Sequence, residues 1–241
     1  MNWKRILVPM ALLPLGGFAA AIGSPAQAGA AGSGHLAGYS APPGLGPNQT
    51  VSVTLVVPKI DCKKVPAGGF QAVLAGARVE SGSGNSEGGA VTSCPGPVAT
   101  YSPLIEISGV PIGTGITINA GDIVSVVVSE SPGGATVTLS DGAQSQTASG
   151  PGGAVSAESV GDIAGNCIGS TCSPVPKSAT TKFTAASING TNLVAAGAVQ
   201  QNLLGAAGGP QMTSSALTTK KTLNAFKTKW VSSCSFGPGR C

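Results

Sequence analysis

An all-β, antiparallel β-sandwich is the fold class this sequence predicts, and three observations carry the prediction. Apolar and polar residues alternate in several stretches, most clearly Val51, Val53, Leu55 and Val57 around Ser52 and Thr54. A period of two buries one face of a sheet and wets the other. The apolar positions are mostly β-branched, and their stiff side chains pack well on a pleated surface. Turn chemistry separates the runs at Pro132-Gly133-Gly134, Asp141-Gly142 and Asn189-Gly190. Short strands at this frequency, with turns between them, imply an antiparallel sandwich.

Taken in order, residues 1–28 read as an export signal. Lys4 and Arg5 begin it, an apolar stretch broken by Pro9 and Pro14 follows, and Ala26-Gln27-Ala28 fits a small-x-small cleavage site. The stretch is short and proline-broken against the roughly 20 residues a membrane span needs, so an uncleaved anchor is the weaker reading. Residues 29–49 are rich in Gly, Ala, Ser and Pro and are expected to be loose or extended. Residues 50–241 form the sandwich domain. Its expected strands include 51–57, 124–129, 135–140, 143–148 and 181–188, with 143–148 reached through the Asp141-Gly142 hairpin turn. Residues 222–231 make the last strand, with Phe226 and Trp230 on one face. Residues 194–204 have few β-branched residues and are expected to form a short helix. No repeat of 20–50 residues is present.

Composition excludes several classes. The 241 residues are 41% hydrophobic and only 9% charged, with 37 Gly and 18 Pro scattered without a collagen period. Charge this sparse argues against a disordered interaction chain or a coiled coil. A net charge of +4, reduced by two when Lys4 and Arg5 leave with the signal, is too small for a nucleic-acid surface. One histidine, His35, makes a His-based zinc site or a Ser-His triad a poor reading. No cofactor is implied. The mature chain is expected to be a monomer outside the cytoplasm, extracellular or in the cell envelope, without stable membrane insertion.

The six cysteines suit an oxidising compartment. They allow fifteen pairings; Cys62–Cys94, Cys167–Cys172 and Cys234–Cys241 are favoured, the last two closing small loops. Structural staples are the preferred role, since no Cys-x-x-Cys is present to lower a thiol pKa. Asn48-Gln49-Thr50 and Asn189-Gly190-Thr191 are glycosylation sequons on expected turns.

Several segments occur in a telling order: Ala37-Gly38-Tyr39, then Thr54-Leu55-Val56-Val57-Pro58 followed by Cys62, then Cys94-Pro95-Gly96, the strand from Tyr101 to Glu106, Asn119-Ala120-Gly121-Asp122, Ala157-Glu158-Ser159-Val160, and Phe183-Thr184-Ala185-Ala186-Ser187. Together they resemble the secreted glutamic peptidase (eqolisin-like) family over residues 37–231. The resemblance implies a concanavalin-like jelly roll, a polypeptide substrate and acid endopeptidase activity. In that family a Glu on the Tyr-x-x-x-x-Glu strand acts as base on water, and a Gln on a neighbouring strand stabilises the oxyanion. A carboxylate can take a proton from water and an amide can donate to a developing negative oxygen. Glu106 matches the family Glu, and the apolar Leu104, Ile105 and Ile107 around it can raise its pKa by desolvation.

The match departs from the family at the Gln. No Gln lies between Val79 and Cys94. Glu87 is nearest to its place and Thr92 is the other candidate. Glu87 paired with Glu106 would make a carboxyl dyad, whereas the Gly and Ser around it favour a solvated loop. Gln71 matches nothing in the motif. Where the family cleft is Trp- and Tyr-rich, this chain has Arg78, Leu104, Ile107 and Ser108, which weakens stacking on an extended peptide. Arg78 and Glu80 are expected to pair with acidic or basic neighbours across the sheet, Asp122 to cap a turn, Glu158 to be structural and His35 to be solvated. Lys220, Lys221, Lys227 and Lys229 are expected to guard an edge strand. Three functions remain: an acid endopeptidase with Glu106 and Glu87 at its centre, a non-catalytic module binding peptide or glycan, and a structural envelope protein.

Overall fold

The structure is a computed structural model that describes residues 31–33, 35–44, 46–64, 72–164, 167–168, 171–172, 175–204, 210–217 and 224–231. Among them are twenty strands and no α-helix: β1 (Ala31–Ser33), β2 (Leu36–Ala41), β3 (Gln49–Val56), β4 (Ile60–Asp61), β5 (Ala72–Ser81), β6 (Gly84–Ser93), β7 (Thr100–Ile107), β8 (Val110–Ile112), β9 (Ile123–Ser131) and β10 (Gly134–Asp141). They continue with β11 (Gln144–Gly150), β12 (Val155–Ala164), β13 (Cys167–Ile168), β14 (Thr171–Cys172), β15 (Lys177–Ser178), β16 (Thr181–Ile188), β17 (Thr191–Asn192), β18 (Val199–Leu204), β19 (Pro210–Ser214) and β20 (Phe226–Trp230).

Hydrogen bonds link the strands in the order β11-β10-β9-β3-β16-β20-β19-β18-β2-β12-β5-β6-β7-β8. Every pairing on this path is antiparallel; β1 alone runs parallel to its partner β18. The path folds over at β19, so that β3 packs on β5 and β12 while β9 and β10 pack on β6 and β7. The result is a two-layer antiparallel sandwich, as the alternation predicts.

The core lies between the layers. On β3 burial alternates residue by residue, with Val51, Val53 and Leu55 inside. Val126, Val128, Val137 and Leu139 extend this surface along β9 and β10 of the same layer, and Val79, Ala77 and Ile105 meet it from the other layer. Phe226 stacks on Phe183 at 4.6 Å, and the Tyr39 ring meets Phe226 edge-on at 5.0 Å. Both hairpin turns form as expected: Gly134 follows Ser131 across the 132–133 turn, and Asp141 pairs with Gln144. Asn189 and Gly190 both take positive φ (53° and 72°), as a two-residue hairpin turn of this kind needs.

Three expectations are corrected. Residues 36–41, expected to be loose, form β2 between β18 and β12, with Ala37, Tyr39 and Ala41 turned inward. Small residues disguise the strand, but they allow its neighbours to approach closely. The helix expected over 194–204 is a turn followed by β18. Ala195 N donates to Asn192 Oδ1 at 2.7 Å, Gly197 takes positive φ, and the chain then pairs with β2; sheet pairing overrides a weak local preference. The last strand, β20, lies between β16 and β19, with Lys227 directly opposite Lys182, so its lysines do not guard an edge.

Cys62 and Cys94 form the expected disulfide. Cys167 and Cys172 are register partners on β13 and β14, with side chains outside the described residues. The Cys234–Cys241 pairing, the export signal at 1–28, Gln71, Lys220 and Lys221 also lie outside them. Among the described residues no helix is long and apolar enough to cross a membrane.

Candidate functional site

The sheet β18-β2-β12-β5-β6-β7 turns one face to the core and the other away from it. Inward residues are identified by contact: a Cβ on Gly88 would stand 2.7 Å from Val137 of the opposite layer, and Val160, Ile105 and Ile107 lie in the core. Strand alternation then puts Ser159, Arg78, Glu87 and Glu106 on the outer face. Register makes them one row running across the strands: Ser159 opposite Arg78, Arg78 opposite Glu87, Glu87 opposite Glu106. Cβ atoms of directly opposed residues lie about 5 Å apart, so the two carboxylates are immediate neighbours.

Arg78 Nε donates to Glu87 Oε2. Arg78 Nη1 is also 4.0 Å from Glu80 Oε1, which is 3.9 Å from His35 Nε2. The row thus extends into a chain of polar side chains, His35–Glu80–Arg78–Glu87, ending against Glu106. Glu87 is buried at 7% exposure, and Glu106 is half-buried. Burial pushes the Glu106 carboxyl above its usual range, the Glu87 charge pushes the same way, and Arg78 opposes them.

Beside the charged row lies a strip without side chains. Gly38, Gly161, Gly76 and Gly89 are consecutive register partners across β2, β12, β5 and β6. A Cβ at Gly76 would stand 2.0 Å from the Gly88 carbonyl oxygen, and at Gly38, Gly89 and Gly161 a Cβ would stand 2.1–2.2 Å from the backbone oxygens of Val160, Ala75 and Ala37. No side chain fits there. Beyond the strip, Leu36, Ile163 and Leu74 form an apolar row, with Val91 and Leu104 packed against it. Glu87 and Glu106 therefore adjoin a strip of bare backbone with an apolar row beyond it.

The sequence candidates are thus sorted. Glu106 and Glu87 come together. Glu87 is on β6 rather than in a solvated loop, because its Gly and Ser neighbours are the residues the close strand packing requires. Thr92 is inward, buried, with its hydroxyl donating to Val73 O at 3.2 Å, so it cannot stand in for an amide beside Glu106. Of the residues in the family's aromatic places, Arg78 and Leu104 share the outer face with the two glutamates, while Ile107 belongs to the core and Ser108 sits in the β7–β8 turn, donating to Pro151 O at 2.7 Å. Asp122 caps its turn, accepting from Asn119 N at 2.6 Å. His35 is near Glu80 rather than simply solvated. Glu158 is inward, on the other face of β12 from the row.

The glycine strip is the part sequence reasoning missed, although its signal was present as glycines at matching heights of four strands. Among the described residues no group of three or more His, Cys, Asp or Glu side chains is placed to hold a metal ion. No protein-family model matches the chain, and no curated protein matches it in sequence.

Proposed function

We propose that this protein is an exported acid endopeptidase of the glutamic type, with Glu106 and Glu87 at its centre and a polypeptide along the glycine strip. One observation carries the reading: Glu87, in the place of the family Gln, is the direct cross-strand partner of Glu106, and the pair lies beside a strip of backbone without side chains. In this reading Glu106 takes a proton from water as the water oxygen attacks the scissile carbonyl carbon. Glu106 then returns the proton to the amide nitrogen as the C–N bond breaks, giving a carboxylic acid and an amine. The negative oxygen between these steps needs a donor. A carboxyl at 87 donates only when protonated, and the Arg78 guanidinium beside it supplies further N–H groups.

The test is incubation of the mature protein with an unfolded protein substrate over pH ~3–6, from the range where ordinary carboxyl groups titrate upward, because burial raises Glu106 above it. Cleavage by wild type that is abolished in Glu106→Gln supports the reading. Unchanged cleavage in that variant removes Glu106 from the mechanism. A folded wild type that leaves the substrate intact points instead to a non-catalytic module binding peptide or glycan, or to a structural envelope protein.

A further inference from the structure

A second carboxylate cluster lies on the inward side of β12, independent of the outer-face row. Glu158, fully buried, sits between Ala41 of β2 and Val79 of β5. Asn189 Nδ2 donates to Glu158 Oε1 at 3.2 Å and to Gln49 Oε1 at 2.5 Å. Asn189 Oδ1 accepts from Thr50 N at 2.7 Å. Gln49 Nε2 donates to the Gly44 and Gly46 carbonyls, and Gln49 Oε1 accepts from Gly44 N at 3.1 Å. Both amides are fully committed, yet Glu158 Oε2 has no partner. A buried carboxylate oxygen without a donor is costly.

These residues line an open pocket of about 410 Å³. Its remaining wall includes Pro42, Ile188 and Ala196, and the described residues that line it include no cationic side chain. Burial pushes the Glu158 carboxyl up to about 7, with the Asn189 hydrogen bond acting against the rise. Among the described residues, the charged groups around it do not neutralise it. Arg78 and Glu80 flank Val79 on β5 but face the outer side, where they approach each other. Glu130, register partner of Gln49, shares the inward side and accepts from Gly153 N at 3.1 Å and Ser83 Oγ at 3.4 Å.

We propose that this pocket binds a primary ammonium on an aliphatic stem, the chemistry of a lysine side chain, with the ammonium against Glu158 Oε2 and the stem along Ile188, Ala196 and Pro42. An ammonium supplies both the missing donor and the missing charge, while a hydroxyl supplies only the donor. Its other protons can use the second lone pairs of the Gly44 and Gly46 carbonyls.

The probe is n-butylammonium chloride, titrated into the folded protein by NMR at pH 5 and pH 8. n-Butanol and sodium chloride at matched ionic strength serve as controls. Saturable binding is expected, stronger at pH 8 by roughly tenfold or more as Glu158 ionises, with n-butanol at least about tenfold weaker. Glu158→Gln removes the pH dependence and the preference for the amine. Ala196→Leu fills the pocket and weakens binding while leaving the carboxylate in place. Should Glu158→Gln not fold, the wild-type pH series and Ala196→Leu decide the matter. Absence of saturable binding, equal binding of n-butanol, pH-independent affinity, or unchanged binding in either folded variant overturns the proposal.

Discussion

Glu106 shows how one side chain's chemistry is set by two neighbours on adjacent strands. Burial and the Glu87 charge hold its carboxyl up, and Arg78 pulls it down. If ionised Glu106 is the base, the acidic limb of a kcat/KM profile follows its pKa. Glu87→Gln removes a negative neighbour, favours ionised Glu106, and is expected to move that limb to lower pH by up to about one unit. Arg78→Met removes the opposing cation and moves it the other way. Limbs that stay in place in both variants would show that Glu106 does not govern the rate. Arg78 and Glu87 could have been paired from the sequence: Gly82-Ser83 is a two-residue turn, and counting back from Ser81 opposite Gly84 puts 78 opposite 87. No such count reaches Glu106, because the longer connection at 94–99 leaves the register of β7 open.

At the scale of elements, the glycine strip explains why β2, β5, β6 and β12 pack as they do. Their opposed glycines bring backbone oxygens to where side chains would stand, which leaves a bare strip between the charged and apolar rows. Gly76→Ala is expected to destabilise the fold by about 2–4 kcal/mol, since the new methyl meets a carbonyl oxygen and the sheet must shift. Gly82→Ala, with nothing within 4 Å of its Cβ position, is expected to change stability by less than about 0.5 kcal/mol. Urea denaturation of the two variants checks the contrast, and equal midpoints would remove the steric account. A lack of β-branched residues explains the misread elements. β2 lacks the β-branched residues that mark a strand, and β18 lacks them over most of its length, so each is a strand only because partners supply its hydrogen bonds.

The whole molecule carries an acid-facing electrostatic design. Asp162 is buried with Thr228 donating to its Oδ2 and Oδ1 unpartnered; burial pushes it up to about 6 while its threonine hydrogen bonds oppose the rise. Glu158 stands at about 7. Both lie above their ordinary values near 4, so over this range the folded state holds protons that the unfolded chain releases. Their contribution to stability is therefore complete below pH ~4 and is lost as pH rises through about 6 and 7. The protein is expected to have a higher Tm near pH 4 than at pH 7.5, and Asp162→Asn should flatten that slope. A Tm that rises steadily from pH 4 to 7.5 would contradict it. Asn189 holds Glu158 while also lying in a glycosylation sequon, and both N–H groups of its amide are committed, so a glycan bond would cost the hydrogen bond to Glu158 or the one to Gln49.

The amino-acid sequence alone determined the all-β class, the positions of the hairpin turns, the face each alternating residue takes, and the identity of Glu106 and Glu87 as candidates. Alternation is a property of a single strand, and short turns are local, so both can be read along the chain. Only the tertiary structure decided that the two glutamates oppose each other, that glycines of four strands align, and that Glu158 meets Asn189 across the sandwich. These depend on register between strands joined by long connections and on the packing of one layer against the other. Those contacts are set by the whole set of side chains at once, and no local stretch encodes them.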